Sequence, residues 1–270
     1  MLGKLLKYEF KATWKLLVPM YIFLILMSIL AYITVHLSFF SSENELVEMT
    51  GMLILITYML SMFVIMIATV IYLIYRFYTS VYGDEGYLLH TLPVDKHHII
   101  ISKTLVSVVW IIINVILIYF SMVFLFSGFI LGNEAAMDSI REGFRYYYNV
   151  INNYNNISTF SVFMTLVASF VTMLARILKV SACISLGQLS SNHKVLVSFG
   201  IYYGIYVVQR IFTIIYYVIV SIADRTYDDA SFTSSLLGRG WEFSLISGLI
   251  YCVIFYFLTW FIMDKKLNLD

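Results

Sequence analysis

Apolar residues in this chain form long unbroken runs separated by short polar segments. A helix that crosses a bilayer needs about 20 mostly apolar residues. Six stretches meet that length: residues 16–37, 52–75, 105–131, 157–178, 195–223 and 243–263. The second and third carry no charge, Arg176 falls near the end of the fourth, and Arg210 interrupts the fifth. Helices satisfy their own backbone polar groups in hydrocarbon, where water cannot. The expected fold is an all-α membrane protein with six transmembrane helices. Residues 1–270 form a single transmembrane domain, and the polar segments are too short for a separate soluble one.

The first fifteen residues carry a different pattern. At about 100° per residue, Lys4, Lys7, Lys11 and Lys15 fall on one narrow stripe of a helix. Leu2, Leu6, Phe10 and Leu17 fall opposite, with Trp14 at the edge. The spacing predicts an amphipathic interfacial helix over 1–15, with its apolar face in lipid and its lysines toward anionic headgroups. The lysines imitate the start of a signal peptide. The apolar run that follows is too long for one and no small-x-small cleavage site stands out, so the segment is expected to be retained.

Composition sharpens this picture. Of 270 residues, 61% are apolar types and only 12% are charged, against about 45–50% and about 25% in soluble domains. Mean hydropathy is +0.88. These values argue against a soluble enzyme, a disordered chain and a nucleic-acid binder. The net charge of +1 hides an asymmetry that sets orientation. With both termini inside, the inner segments hold Lys4, Lys7, Lys11, Lys15, Arg76, Lys96, Lys103, Lys194, Lys265 and Lys266, ten in all. The outer loops hold Arg141, Arg145, Arg225 and Arg239, which is four. Basic residues accumulate on the cytoplasmic side, so both termini are expected in the cytoplasm. Cys183 and Cys252 would then lie near opposite faces as buried, unbridged thiols.

Covalent chemistry has few carriers here. There is no Gly-x-x-x-x-Gly-Lys-[Ser/Thr] phosphate loop, no His-Glu-x-x-His and no Gly-x-Ser-x-Gly. The histidines have no metal-ligand spacing, so no metal site and no catalytic residue is expected.

The segment between the second and third spans is the most informative. Asp84 is placed to cap a short helix through Leu92, with Glu85 near its N-terminus. Pro93 ends that helix, and Asp95 caps the next one. The short helix is half apolar (Tyr87, Leu88, Leu89 and Leu92), and an apolar cytoplasmic helix needs something to bury against. Either it packs on its own membrane interface or it meets a partner.

Three stretches carry a resemblance. One is Gly83-Asp84-Glu85-Gly86-Tyr87-Leu88 followed by Thr91-Leu92-Pro93-Val94; another is Ser102-Lys103, leading into the third span. The last runs from Ser185-Leu186-Gly187-Gln188 to His193-Lys194. With the interfacial start and six spans, the chain resembles permease subunits of ABC-2-type ABC transporters, most of all those of Gram-positive bacteria such as clostridia. The resemblance implies a plasma-membrane exporter subunit that is not itself an enzyme. ATP and Mg would be bound by a separate ATPase subunit, and this chain would need no cofactor. It implies that residues 84–92 form the coupling helix docked on that ATPase, involving Asp84, Glu85, Gly86, Tyr87, Leu88, Leu89, Leu92 and Pro93. It implies a connecting helix that includes Lys4, Lys7, Phe10, Lys11, Trp14 and Lys15. A second permease subunit, a copy of this chain or a different one, would complete the path.

Arg210 lies about 15 residues into the fifth span, roughly 22 Å of helix rise. Such a cation faces a bundle interior, a partner or water, or snorkels outward. Gly200 and Gly204 allow close helix approach, and with Arg210 they are candidates for the translocation path or a permease interface. Arg176 and Lys179 are expected to snorkel at the inner end of the fourth span. Tyr146, Tyr147 and Tyr148 in the loop before that span form an aromatic collar or a contact surface. Residues 224–242 have the mixed character of a re-entrant piece. The different-class alternative is a non-transporting sensor or immunity protein whose outer loops bind a peptide.

Overall fold

A computed structural model describes residues 2–37, 44–83, 85–86, 95–131, 134–153, 159–190, 193–223 and 229–265. Among them are seven helices and no strand: α1 Leu2–His36, α2 Glu45–Tyr82, α3 Lys96–Leu131, α4 Glu134–Asn153, α5 Thr159–Gly187, α6 Lys194–Ala223 and α7 Asp229–Lys265. All but α4 are long and apolar enough to cross a membrane. The architecture is that of a multi-pass helical membrane protein.

The helices outrun the apolar windows that announce them, because a helix continues through polar flanks until a cap stops it. At the start of α2 the Leu46 amide donates to Asn44 Oδ1 at 3.1 Å, and Glu45 and Glu48 sit in the first turn. Asp95 stands immediately before α3, as expected of a cap. Residues 1–15 and 16–37, expected as two pieces, run as one helix. Nothing between Lys11 and Val18 breaks a helix, and Pro19 lies inside α1. A proline there removes one intrahelical bond and favours a bend. Residues 134–153, expected as a loop, form α4, with Phe144, Tyr146 and Tyr148 exposed. Residues 229–242 are continuous with the last span instead of a separate re-entrant piece, and 224–228 lie outside the described residues.

The chain divides into two units. The first is Met1–Arg76 with Leu105–Tyr148. Its core interleaves Leu17, Tyr21, Leu24 and Ala31 of α1 with Tyr58, Met62 and Ile65 of α2 and Val106, Trp110 and Leu125 of α3. Polar groups inside it are paired, as water-free packing demands. Trp110 Nε1 donates to Thr13 Oγ1 at 2.8 Å, and Asn114 Nδ2 donates to Thr69 Oγ1 at 2.8 Å. The hydroxyls of Tyr58 and Ser121 share a hydrogen bond of 2.6 Å. Glu9 and Arg76 form an ion pair at 3.3 Å, tying the first turns of α1 to the last third of α2.

This unit corrects the reading of the first helix. Its lysines are exposed on one side as expected. Its apolar side is not given to lipid: Leu6 and Phe10 pack on the core, and the Phe10 ring lies 5.8 Å from that of Trp110. The Tyr72 hydroxyl donates to the Ala12 carbonyl at 3.4 Å. Aromatic side chains from α2 and α3 take the place expected for acyl chains.

The second unit is Phe77–Thr104 with Asn149–Asp270. In it α5 packs against both α6 and α7. Gly248 permits the α5–α7 approach, since a Cβ there would lie 3.0 Å from Val171 Cγ1. The start of α3 is pinned to the end of α7. Lys96 Nζ lies 3.0 Å from Asp264 Oδ1. His97 Nδ1 lies 2.7 Å from the Tyr256 hydroxyl, and its ring stacks on Trp260 at 5.3 Å. Both cysteines are free thiols, Cys183 buried and Cys252 half-buried.

Candidate functional site

The three stretches that carry the family resemblance are far apart in sequence and meet in the second unit. Tyr82, the residue before Gly83, donates from its hydroxyl to Ser185 Oγ at 2.6 Å. Ser185 is fully buried and donates to the Ser181 carbonyl at 2.9 Å. Lys103 is buried and donates from Nζ to Ser80 Oγ at 2.6 Å. A buried ammonium is costly unless hydrogen-bonded. The α2 end is thus fastened both to the α3 start and to the α5 end by polar bonds at buried or half-buried positions.

The glycines of the loop motif have a local explanation. The Gly83 amide closes α2 on the carbonyls of Tyr78 and Thr79, both at 3.2 Å, and the Gly86 amide donates to the Gly83 carbonyl at 2.8 Å. A Cβ on Gly83 would lie 2.6 Å from the Thr79 carbonyl oxygen, and one on Gly86 would collide with the Val81 carbonyl. Only a residue without a Cβ allows this reversal. Gly187, in the third stretch, is equally tight: a Cβ there would lie 2.7 Å from the Lys194 carbonyl oxygen.

Of the expected coupling helix, Glu85 is exposed and Gly86 buried. Asp84, Tyr87, Leu88, Leu89, Leu92 and Pro93 lie outside the described residues. On α1, Lys4, Lys7, Lys11, Lys15 and Trp14 are exposed, while Phe10 is half-buried.

A second constellation lies between α5 and α6. Lys179 is only 4% exposed, which corrects the expectation that it snorkels. The apolar run continues past it through Val180, Ala182 and Ile184 to Gly187, so it is eight residues inside α5 and not at its end. Its Nζ donates to Gln209 Oε1 at 3.0 Å and lies 4.5 Å from the centre of the Tyr202 ring and 5.7 Å from that of Tyr206. The Arg210 guanidinium lies 5.0 Å from the Tyr206 ring centre. Arg176, exposed, and Arg210 both act electrostatically on Lys179. The sequence expectation kept Arg176 and Lys179, as snorkelling cations, apart from Arg210. The signal that joins them is Tyr202, Tyr206 and Gln209, spaced to share one face of α6.

Gly200 and Gly204 have no atom within 4 Å of where a Cβ would stand, so no described part of this chain packs against them. Around them Phe199, Tyr203, Val207 and Val208 are exposed. No protein family, curated protein or solved structure matches the chain.

Proposed function

We propose that this chain is the permease subunit of an ATP-driven ABC exporter of the ABC-2 type, working at the plasma membrane with both termini cytoplasmic. The observation that carries the reading is the convergence of Gly83–Gly86, Ser102–Lys103 and Ser185 at one end of the second unit. Motif residues selected only to finish and start helices have no reason to gather. Residues selected to hold one short helix do.

In this reading a separate ATPase subunit binds and hydrolyses ATP. Its closure pushes on residues 84–92, and the force enters α2 and α3 through the Tyr82–Ser185 and Lys103–Ser80 fastenings. A second permease subunit covers the open Gly200–Gly204 face. Arg210 lies on the adjoining side of α6, as a lining residue would. The connecting helix is the lysine-bearing start of α1, with its apolar side already occupied by the first unit.

The test is purification from the native membrane in mild detergent, with mass spectrometry and an ATPase assay of the eluate. A stoichiometric phosphate-loop ATPase is expected. Leu88→Asp with Leu89→Asp should leave the chain in the membrane but lose the ATPase or its coupling to transport. A chain that purifies without any ATPase would overturn the reading and favour the non-transporting sensor.

A further inference from the structure

We propose that Arg176, Lys179 and Arg210 form a binding site for the phosphate of an anionic membrane amphiphile, seated between α5 and α6. This site stands whether or not the chain transports anything.

The argument begins with charge. Lys179 and Arg210 meet at the Tyr206 ring, 5.7 Å and 5.0 Å from its centre, and Arg176 stands three residues before Lys179 on the same side of α5. Among the described residues no carboxylate lies within ion-pair distance of any of them. Neutral groups meet part of the need, since Lys179 has Gln209 and two ring faces. An ammonium has three donors, and the amide oxygen uses one. Among the described residues neither Arg176 nor Arg210 has a hydrogen-bond acceptor, and Arg210 has only the Tyr206 face. Packed cations without a counter-charge repel, and they do so more strongly away from water.

Depth makes water a poor substitute. Lys179 is eight residues from the end of α5 at Gly187, or about 12 Å along the helix axis. Arg210 is sixteen residues from the start of α6 at Lys194, or about 24 Å. Both positions lie inside the stretches long and apolar enough to cross a membrane, Phe160–Gly187 and Lys194–Val220. Cations at such depth pair with something.

Donor geometry selects the partner. Two guanidinium forks and an ammonium present more donors than the two oxygens of a carboxylate accept in plane. A phosphate offers several oxygens in three dimensions, and guanidinium forks bind it bidentately. The surroundings select an amphiphile over a free ion. On Arg210's own side of α6, away from the glycine face, Tyr206 and Ile214 stand four residues before and after it and are exposed. A headgroup at the cations would lay its tail along that side.

The test uses the full chain in detergent, exchanged into phosphatidylglycerol or phosphatidylcholine and read by native mass spectrometry. Wild type should retain one phosphatidylglycerol at collision energies that strip phosphatidylcholine. Arg176→Gln with Arg210→Gln, both at exposed positions that folding does not require, should lower retention by about tenfold or more. Arg141→Gln with Arg145→Gln on α4 removes the same charge elsewhere and should change nothing. Glycerol phosphate, which has the phosphate but no tail, should not displace the lipid. Equal retention of the two lipids, or retention that survives the first double variant, overturns the site. Displacement by glycerol phosphate overturns the amphiphile in favour of a free phosphate.

Discussion

The bond from Trp110 to Thr13 permits a test of how the first helix is held. Trp110 is 2% exposed and Thr13 is 1% exposed, so water reaches neither. Indole has one donor and no acceptor. Thr13→Val keeps the shape of the side chain but leaves that donor unpaired. A buried donor without a partner costs about 1–3 kcal/mol. Polar pairs in membrane proteins tend to the lower part of that range, up to about 1.7 kcal/mol in measured cycles, because the unfolded chain also finds partners. The expected loss is therefore about 1–2 kcal/mol, a factor of about 5–30 in the folded-to-unfolded ratio. Thr13→Ser keeps the acceptor and should cost under about 1 kcal/mol. Trp110→Phe leaves Thr13 satisfied, because its hydroxyl also donates to the Glu9 carbonyl at 2.9 Å. That variant loses ring volume and not pairing. The assay is equilibrium unfolding in mixed micelles titrated with dodecyl sulfate, followed by far-ultraviolet circular dichroism, on the four members of a double-mutant cycle. If Thr13→Val and Thr13→Ser cost the same, or if the cycle gives no coupling between positions 13 and 110, then the bond does not hold α1, and apolar packing alone must account for its position.

Two comparisons follow from glycines. Gly248→Leu forces a side chain into the α5–α7 contact and should cost about 1–3 kcal/mol, whereas Gly204→Leu meets open space and should leave the unfolding midpoint of the single chain unchanged; equal effects would contradict the packing described. Gly86→Val must move backbone away from the Val81 carbonyl, so it should speed cleavage of the 83–95 segment in limited proteolysis, while Gly143→Val on α4 meets nothing and should not.

Much of the fold was legible in the sequence for one physical reason. A bilayer requires long apolar helices, and apolar length is a local property that can be read without knowing any contact. Helix ends are less local: α2 is capped by Asn44, eight residues before its apolar window at 52–75. The helix α4 was missed because its residues are mostly polar. Met137, Ile140, Phe144, Tyr148 and Ile151 nonetheless recur at helical spacing, and that periodicity was the available signal. Side-chain destinations were least legible. Lys179 reads as a flanking cation until Gln209, thirty residues later, is brought to it by the packing of α5 on α6. Likewise, the lysine stripe of α1 announced its exposed side, while the aromatic cover on the other side depends on Trp110 and Tyr72 from two other helices.

The close backbone at Gly83 and Gly86 bears on how this segment can vary. Every amino-acid replacement of a glycine introduces a Cβ, and at both positions the space for one is already filled by a carbonyl of α2. A library of all point variants should therefore show two intolerant positions around Asp84 and Glu85. Divergence of this loop would have to arise between and after these two positions, with the reversal of the chain held constant.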